Sequence, residues 1–259
     1  MTDAEIVLEV QANFIRANRD LAEHAPEGEY TEIDGLAIKY SGVPAPGENA
    51  ALLMRPLRDP PGAIAEAVRY FDDRRMPYGI LMLAGLDPDA ERTCAEFGLV
   101  HVHTLPGMAL GPLPSEVPPP PAELEIRSVS DAAEHDQHVQ TDAAGFEGPL
   151  AYARKMFPPS LITRPYAVEF LGLVDGVPVA TSVLVATGRT AGIYGVSTIP
   201  AYRRRGFGEA MTWQAVREGI ARGCEMANLQ ASDMGLPLYA RMGFRLVAPF
   251  LIFAPPGGS

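Results

Sequence analysis

Three arginines and two glycines lie close together in the stretch Arg203–Gly208, with the spacing Arg203-x-x-Gly206-x-Gly208. A segment with helical periodicity follows, and the first N–H groups of a helix have no partner within it. The helix dipole favours an anion at that end, and glycines let the anion reach the main chain. These residues predict a site for a diphosphate group, bound mainly by backbone amides and assisted by arginine side chains.

The segments on either side of this loop predict the elements that position it. Residues 191–199 are apolar and rich in β-branched side chains, which predicts a buried strand. The residues after the loop predict a helix that ends near Arg222-Gly223, because apolar side chains recur at helical spacing. Farther on, residues 226–230 predict a strand, 236–242 a short helix with Tyr239, and 244–253 a last strand.

The loop resembles the pyrophosphate-binding motif of the GNAT superfamily of acetyl-coenzyme A-dependent N-acetyltransferases, Gln/Arg-x-x-Gly-x-Gly/Ala. Arg203, Gly206 and Gly208 match all of its positions. The short helix with Tyr239, which ends at Gly243-Phe244, resembles the C-terminal motif of the superfamily. Other phosphate-binding loops fit less well, since a dinucleotide fingerprint needs a third glycine where Met211 stands and a P-loop needs Gly-Lys-Ser/Thr.

The chain has a proline-rich segment at residues 112–121, which predicts a stiff linker. Both sides of it show a hairpin signal, Asp34-Gly35 and Asp175-Gly176, followed by the same alternation of strands and helices. We therefore predict domains at 1–111 and 122–259. In the first domain the segment Arg58–Gly62 replaces the phosphate loop with an acidic residue and two prolines, which predicts a degenerate copy without cofactor.

The resemblance implies an α/β fold made of two tandem GNAT-like domains. Each is expected to contain a mixed, mostly antiparallel sheet flanked by helices and splayed between its fourth and fifth strands. In the second domain these strands correspond to residues 193–199 and 225–230. The motif-level resemblance covers about residues 126–253, and before the linker it concerns the architecture alone.

The resemblance also implies which residues contact acetyl-CoA. The backbone of Val196, Ser197 and Thr198 would pair with the pantetheine arm, and the amide near Val196 would polarise the thioester oxygen. Tyr239 would protonate the leaving thiolate, and Ser232 stands where many relatives have an asparagine that contacts the cofactor. The pyrophosphate loop comprises Arg203, Arg204, Arg205, Gly206, Phe207, Gly208 and Glu209.

The general base is left open by the sequence. Many relatives have a glutamate on the fourth strand, but this chain has Tyr194 there, and a phenol is a poor base at neutral pH. Glu147, Glu169 or a chain of water molecules would have to take the proton. The acceptor amine is equally open.

Composition limits the classes of function. A net charge of −11 argues against nucleic-acid binding and suits a cationic amine. The acidic start and the lack of a long apolar segment predict a cytoplasmic protein without a membrane span. Cys94 and Cys224 lack CxxC spacing and predict free buried thiols. The histidine pairs 101/103 and 135/138 have no third ligand nearby, so we predict surface histidines and no metal.

Two hypotheses follow for the function. The first is an N-acetyltransferase that moves an acetyl group from acetyl-CoA to a primary amine of a small molecule, by direct attack in a ternary complex. The second is a non-catalytic acyl-CoA-binding or regulatory module, for which the missing glutamate at position 194 is the main support. Tyr239 favours the first.

Overall fold

The computed structural model describes residues 1–44 and 47–257 and divides the chain into two compact units. Unit 1 contains Met1–Gly107 together with the segment from Leu246, and unit 2 contains Met108–Arg245. Each unit has its own apolar core. The core of unit 1 includes Ile38, Ile64, Phe71 and Met82, whereas that of unit 2 includes Phe170, Leu184, Phe207 and Met211.

Unit 1 begins with a long helix whose N-terminus is capped by Thr2 and Glu5. The hairpin predicted at Asp34-Gly35 is confirmed, since its two strands pair in antiparallel register across that turn. The elements are α1 (Asp3–His24), β1 (Glu29–Ile33), β2 (Leu36–Tyr40), β3 (Ala50–Leu53), α2 (Pro60–Asp73), β4 (Gly79–Leu83), α3 (Pro88–Glu96) and β5 (Val100–Leu110). The last residues of β5, from Met108, belong to unit 2.

Unit 2 contains the predicted strand, loop and helix around Arg203. Its elements are β6 (Glu125–Ser128), α4 (Ala132–Gly145), α5 (Leu150–Met156), β7 (Ala167–Val174), β8 (Val177–Thr187), β9 (Thr190–Thr198), α6 (Phe207–Ala221), β10 (Met226–Gln230) and α7 (Leu236–Arg241). The strand order is β10-β9-β8-β7-β6, antiparallel except for the parallel pair β9–β10. Single 3-10 turns lie at Pro159–Thr163 and Pro200–Tyr202.

The last strand, β11 (Arg245–Ala254), differs from the prediction in its place. We expected it to close the domain at 122–259, but β11 pairs antiparallel with β4, in the register Phe250↔Leu83 and Phe253↔Ile80. Residues from Leu246 therefore belong to unit 1. Phe250 and Phe253 are buried there. Alternation of apolar side chains identifies a strand but does not specify its neighbour in the sheet, which explains the difference.

The proline-rich segment 112–121 has no helix or strand, as expected, but it is packed onto unit 2 and does not form a free spacer. The Leu113 amide donates to the Glu225 carbonyl at 3.1 Å, and Arg217 Nη2 donates to the Pro118 carbonyl at 3.1 Å. Leu113 and Val117 also contact the core of unit 2. A segment without secondary structure is thus still a fixed part of this unit.

The sheet of unit 2 opens between β9 and β10. In the described part of the chain the two strands pair only at Thr190–Gly192 of β9, opposite Met226–Asn228. Beyond Gly192 β9 continues for six residues, over which it pairs with β8 and, among the described strands, with no other. The predicted splay between the fourth and fifth strands is therefore confirmed, and it separates the last residues of β9 from β10.

Among the described helices, none is both long enough and apolar enough to cross a membrane.

Candidate functional site

Helix α6 begins with its first amides open to a ligand. Gly206 is the N-cap residue, in the left-handed conformation (φ 82°, ψ 4°), and no side chain caps the helix. The first turn closes with the Ala210 amide donating to the Gly206 carbonyl at 3.0 Å, so the amides of Phe207, Gly208 and Glu209 precede that bond. A helix start without a side-chain cap, preceded by arginines, can bind a diphosphate.

The two glycines of the loop have different functions. Gly206 has a positive φ that other residues adopt only with strain. Gly208 is in ordinary helical conformation, and a Cβ built on it would lie 3.7 Å from Leu238 and 3.9 Å from Thr198 Oγ1, which is normal contact. Gly206 is thus required by the backbone, whereas Gly208 keeps the space above the helix start clear.

The arginine side chains of the loop are not equivalent. Arg203 donates to the Gly145 carbonyl at 2.7 Å, to the Glu147 carboxylate at 2.9 Å and to the Thr198 carbonyl at 3.2 Å. Its guanidinium therefore connects the end of α4 to the end of β9. Arg205 lies over the Tyr202 ring, with 5.0 Å from its Cζ to the ring centroid. That these side chains also contact a diphosphate stays a prediction.

Strand β9 carries a bulge immediately before the residues predicted to bind pantetheine. Its pairing with β8 shifts between Thr181 and Val183, and Gly195 has a φ of 54°. Val196 and Thr198 are partly exposed, and Ser197 is buried. A bulge changes the direction of the peptide groups that follow it, so the main-chain groups of Val196 can point toward a ligand between β9 and β10.

Tyr239 and Ser232 lie in or just before α7. Tyr239 is buried, with its ring edge-on to Phe244 at 6.0 Å between centroids. Burial raises the pKa of the Tyr239 phenol to about 12, and the Thr212 hydroxyl opposes that rise. Ser232 Oγ accepts from the Gly235 amide at 3.2 Å and so supports the turn before α7. Its predicted contact with a cofactor is not tested by this geometry.

Helix α4 contributes a buried polar face that the sequence interpretation underrated. We expected surface histidines, but His135 and His138 are both buried. His135 Nδ1 donates to Glu169 at 2.7 Å and its Nε2 to the Phe157 carbonyl at 3.2 Å, so both ring nitrogens donate and the pKa of His135 is raised. His138 Nδ1 donates to the Phe170 carbonyl, and burial lowers its pKa.

Asp142 is the functional candidate that sequence reasoning missed. It lies on α4 one turn beyond His138, it is only 5% exposed, and burial raises the pKa of its carboxyl to about 7. Thr181 Oγ1 lies 3.4 Å from Asp142 Oδ1. The spacing 135, 138, 142 places three titratable side chains on one helix face, and this was the signal available in the sequence.

The residues first considered as bases are used differently. Glu147 is exposed and paired with Arg203, and Glu169 is buried and paired with His135. Desolvation raises the pKa of Tyr194 far above its usual range, so its phenol remains protonated. Asp142 is thus a carboxyl near β9 whose pKa is close to neutral pH.

Unit 1 has no comparable anion site at the start of α2. Asp59 caps that helix by accepting from the Gly62 amide at 3.3 Å. Asp34 Oδ2 accepts from the amides of Arg58 and Asp59 at 3.0 and 3.1 Å. Amides at the start of α2 are therefore bonded to carboxylates, and that unit 1 binds no cofactor stays a prediction.

Cysteines and metal ligands add no further site among the described residues. Cys94 and Cys224 are free and buried, which confirms that prediction. No group of three or more His, Cys, Asp and Glu side chains is arranged to hold a metal ion within the part that the structure describes.

Sequence comparison matches part of the chain to a known family. Residues 134–244 match the family model described as the acetyltransferase (GNAT) family. The matched range contains α4, the bulged strand β9, the Arg203–Gly208 loop and α7. This part of the chain, less than half of its length, is therefore similar to the GNAT acetyltransferase family, whose members generally use acetyl-CoA. A search of curated proteins finds no significant match.

Solved structures extend the likeness to nearly the whole chain. A GCN5-related N-acetyltransferase from Kribbella flavida is similar over 97% of this chain and 96% of that chain, with a TM-score of 0.75 and 21% identity. A tandem GNAT protein from the clavulanic acid biosynthesis pathway, solved without AcCoA, covers 95% and 94% with a TM-score of 0.58 and 13% identity.

A third similar structure is a GCN5-related N-acetyltransferase from Sphaerobacter thermophilus, which covers 74% of this chain and 66% of that chain at a TM-score of 0.56 and 16% identity. At such identities the likeness concerns the fold. It confirms the predicted α/β fold, a mixed sheet flanked by helices, and one of the similar structures is described as a tandem GNAT protein.

Proposed function

We propose that this protein transfers an acetyl group from acetyl-CoA to a primary amine of a small molecule, by direct attack in a ternary complex. The observation that supports this best is the open N-terminus of α6, with Gly206 as its cap, directly after the splayed end of β9. The end of β9 and the start of α6 follow each other in the chain, and they match the pantetheine arm and the adjacent diphosphate of coenzyme A.

Two features of unit 2, the start of α6 and the end of β9, fit acetyl-CoA. The α6 amides that precede Ala210 have no side-chain cap, and Gly208 adds no Cβ where a phosphate would approach. On the side of β9 that faces β10, the pairing of the two strands ends at Gly192, so the main chain of Val196–Thr198 can pair with the amides of a pantetheine arm. When bound, acetyl-CoA supplies an activated thioester as the acyl donor.

The protein groups then have distinct roles. The amides of Phe207, Gly208 and Glu209 bind the diphosphate, and the main chain of Val196, Ser197 and Thr198 orients the arm. The Val196 amide donates to the thioester oxygen, where negative charge grows during attack. No side chain needs to form a covalent bond with the acetyl group.

Tyr239 supplies the proton for the departing sulfur. Its phenol has a pKa raised to about 12, so it is fully protonated at neutral pH. Its burial excludes bulk water from the ring. Tyr239 lies on α7, the helix that follows β10 in the chain. A general acid must hold its proton until negative charge appears on its partner, which this phenol does.

A non-catalytic acyl-CoA-binding module is the second candidate. The absence of a carboxylate at position 194 favours it, because Tyr194 stays protonated. We further propose a cytoplasmic location, where acetyl-CoA is available.

The experiment is a screen for coenzyme A release with acetyl-CoA and a panel of primary amines, such as benzylamine, spermidine, glucosamine and a lysine tripeptide. Calorimetry with acetyl-CoA accompanies it. Binding with amine-dependent release of coenzyme A supports the transferase. Binding without release for every amine supports the non-catalytic module, and lack of binding contradicts both.

A further inference from the structure

The Asp142 carboxyl lies at the back of the β9 bulge. A Cβ built on Gly195 would lie 3.4 Å from Asp142 Oδ1 and 3.0 Å from the Phe157 ring. Gly195 directly precedes Val196, whose amide is proposed to bind the thioester oxygen. The carboxyl therefore lies beside the residue that immediately precedes this amide.

Two hydroxyl groups connect Asp142 to the same bulge. Thr181 Oγ1 lies 3.4 Å from Asp142 Oδ1, 2.9 Å from the Gly195 carbonyl and 2.8 Å from Ser197 Oγ. Thr181 is fully buried and Ser197 is 5% exposed. A hydroxyl can donate one proton and accept others, so this network can accommodate either charge state of the carboxyl.

Asp142 forms no ion pair with a cation in the part of the chain that the structure describes. On β7 the nearest acid, Glu169, is already bonded to His135 of α4, and His138 on α4 stays neutral because its burial lowers the pKa. Strands β8 and β9 present the hydroxyls of Thr181 and Ser197, and β9 also carries the protonated Tyr194. Basic residues of α5 lie at its outer end, where Arg154 pairs with the exposed Asp136 of α4.

We propose that Asp142 is the catalytic base, which accepts a proton from the ammonium form of the acceptor amine beside the Gly195 bulge. This inference rests on the proposed acetyltransferase function and assigns a residue to the step that function leaves open. Thr181 acts through Asp142 and is a positioning residue.

The protons and bonds balance without a further reagent. One ammonium proton passes to Asp142 and from there to solvent, which leaves a neutral amine with a lone pair. The nitrogen–carbon bond then forms while the carbon–sulfur bond breaks. The amine releases its second proton to water, Tyr239 gives its proton to sulfur, and water restores the proton of Tyr239.

The pKa of Asp142 agrees with the role of a catalytic base. Burial raises the pKa of Asp142 to about 7, with the Thr181 hydrogen bond opposing the rise and the Glu169 charge adding to it. A base with a pKa near the working pH is deprotonated often enough to act and still attracts the proton.

The first test compares Asp142→Asn with Asp136→Asn, an exposed aspartate on the same helix. The wild-type protein is first shown to acetylate one amine of the panel, which establishes the proposed function independently. We expect Asp142→Asn to lower kcat by at least about 100-fold, with the affinity for acetyl-CoA unchanged in calorimetry. Asp136→Asn should retain wild-type kcat.

The pH dependence of kcat/KM separates a base from a structural residue. The acidic limb of the wild-type profile should lie near pH 7, and in Asp142→Asn it should move up to the pKa of the amine itself. A weakly basic acceptor such as aniline, which is neutral at pH 7, should reduce the deficit of the variant. An unchanged limb in an active Asp142→Asn protein would overturn the inference and leave the acetyltransferase function standing.

A readout without turnover completes the test. In protein labelled with ¹³C at aspartate carboxyls, one signal should titrate near pH 7 and disappear in Asp142→Asn. In Thr181→Val it should titrate at higher pH, because the opposing hydrogen bond is lost. If all aspartate carboxyls titrate below about pH 5, Asp142 is an ordinary acid and the proposal is wrong.

Discussion

Arg203 donates to the Glu147 carboxylate at 2.9 Å and, through the same nitrogen, to the Gly145 carbonyl at 2.7 Å. The first residue of the predicted phosphate-binding motif thus holds the end of α4 against the end of β9. A Cβ on Gly145 would overlap the Ser197 side chain, so the two elements meet without a spacer. The loop and the α4 face are one structural assembly within unit 2.

Arg203→Met should therefore lower the stability of unit 2 even without ligand. Hydrogen bonds from a charged donor to carbonyls contribute about 1.5–3 kcal/mol, and partial exposure of Arg203 reduces this, so we expect a loss of about 1–2 kcal/mol. Urea unfolding measures it. Arg204→Met is the matched control and should change stability by less than about 0.5 kcal/mol. Equal losses in both variants would show that Arg203 has no special structural role.

Gly208→Val should weaken acetyl-CoA binding at least about tenfold by occupying the approach to the α6 amides. The native fold has room for its Cβ, so the melting temperature should change little. Gly208→Ala, which the family motif allows, is the control and should bind. Gly206 is less suitable for this test, because its φ of 82° makes any substitution strained. Undiminished affinity in Gly208→Val would place the diphosphate elsewhere.

Tyr239→Phe should lower turnover at least about tenfold while acetyl-CoA affinity stays near the wild-type value. Since the pKa of Tyr239 is raised to about 12, its deprotonation should not limit kcat below about pH 11. Stopped-flow release of coenzyme A is the measurement. If activity and affinity decline together, the ring is a packing residue beside Phe244 and sulfur takes its proton from water.

Titration with acetyl-CoA should show one site per chain. The amides at the start of α2 are bonded to Asp34 and Asp59, and a second anion would have to displace these carboxylates. Asp59→Ala should lose about 1 kcal/mol of stability through the helix cap and leave the stoichiometry at one. Calorimetry that gives two sites would contradict the degeneracy of unit 1.

Asp142 should make the wild-type protein less stable as pH rises. Its folded pKa, about 7, is above that of an unfolded aspartate, so between about pH 4 and 7 the folded state binds the extra proton. The stabilisation from the protonated Asp142 carboxyl is fully present below about pH 4. It is lost as the pH rises through about 7, and the loss is on the order of a few kcal/mol. Asp142→Asn removes this decline, so its melting temperature should exceed that of wild type at pH 8. Parallel curves for both proteins would contradict the raised pKa.

The sequence by itself determined the elements whose signals are local. The strand Met226–Gln230 and the turns at Asp34-Gly35 and Asp175-Gly176 lie where they were predicted. The same holds for the helix predicted after the loop, which is α6, Phe207–Ala221. Hydrophobic periodicity, turn residues and helix caps act over a few neighbours along the chain, so they can be read without knowing the rest of the fold.

Only the tertiary structure decided which distant segments meet. It pairs β11 with β4, buries the His135–Glu169 pair, turns Arg203 toward Gly145 and brings Asp142 of α4 against Gly195 of β9. Periodicity shows that a residue faces inward but not what it faces, because that depends on sheet order and helix packing. The raised pKa of Asp142 has the same origin, since burial is a property of the assembled unit and not of the residue.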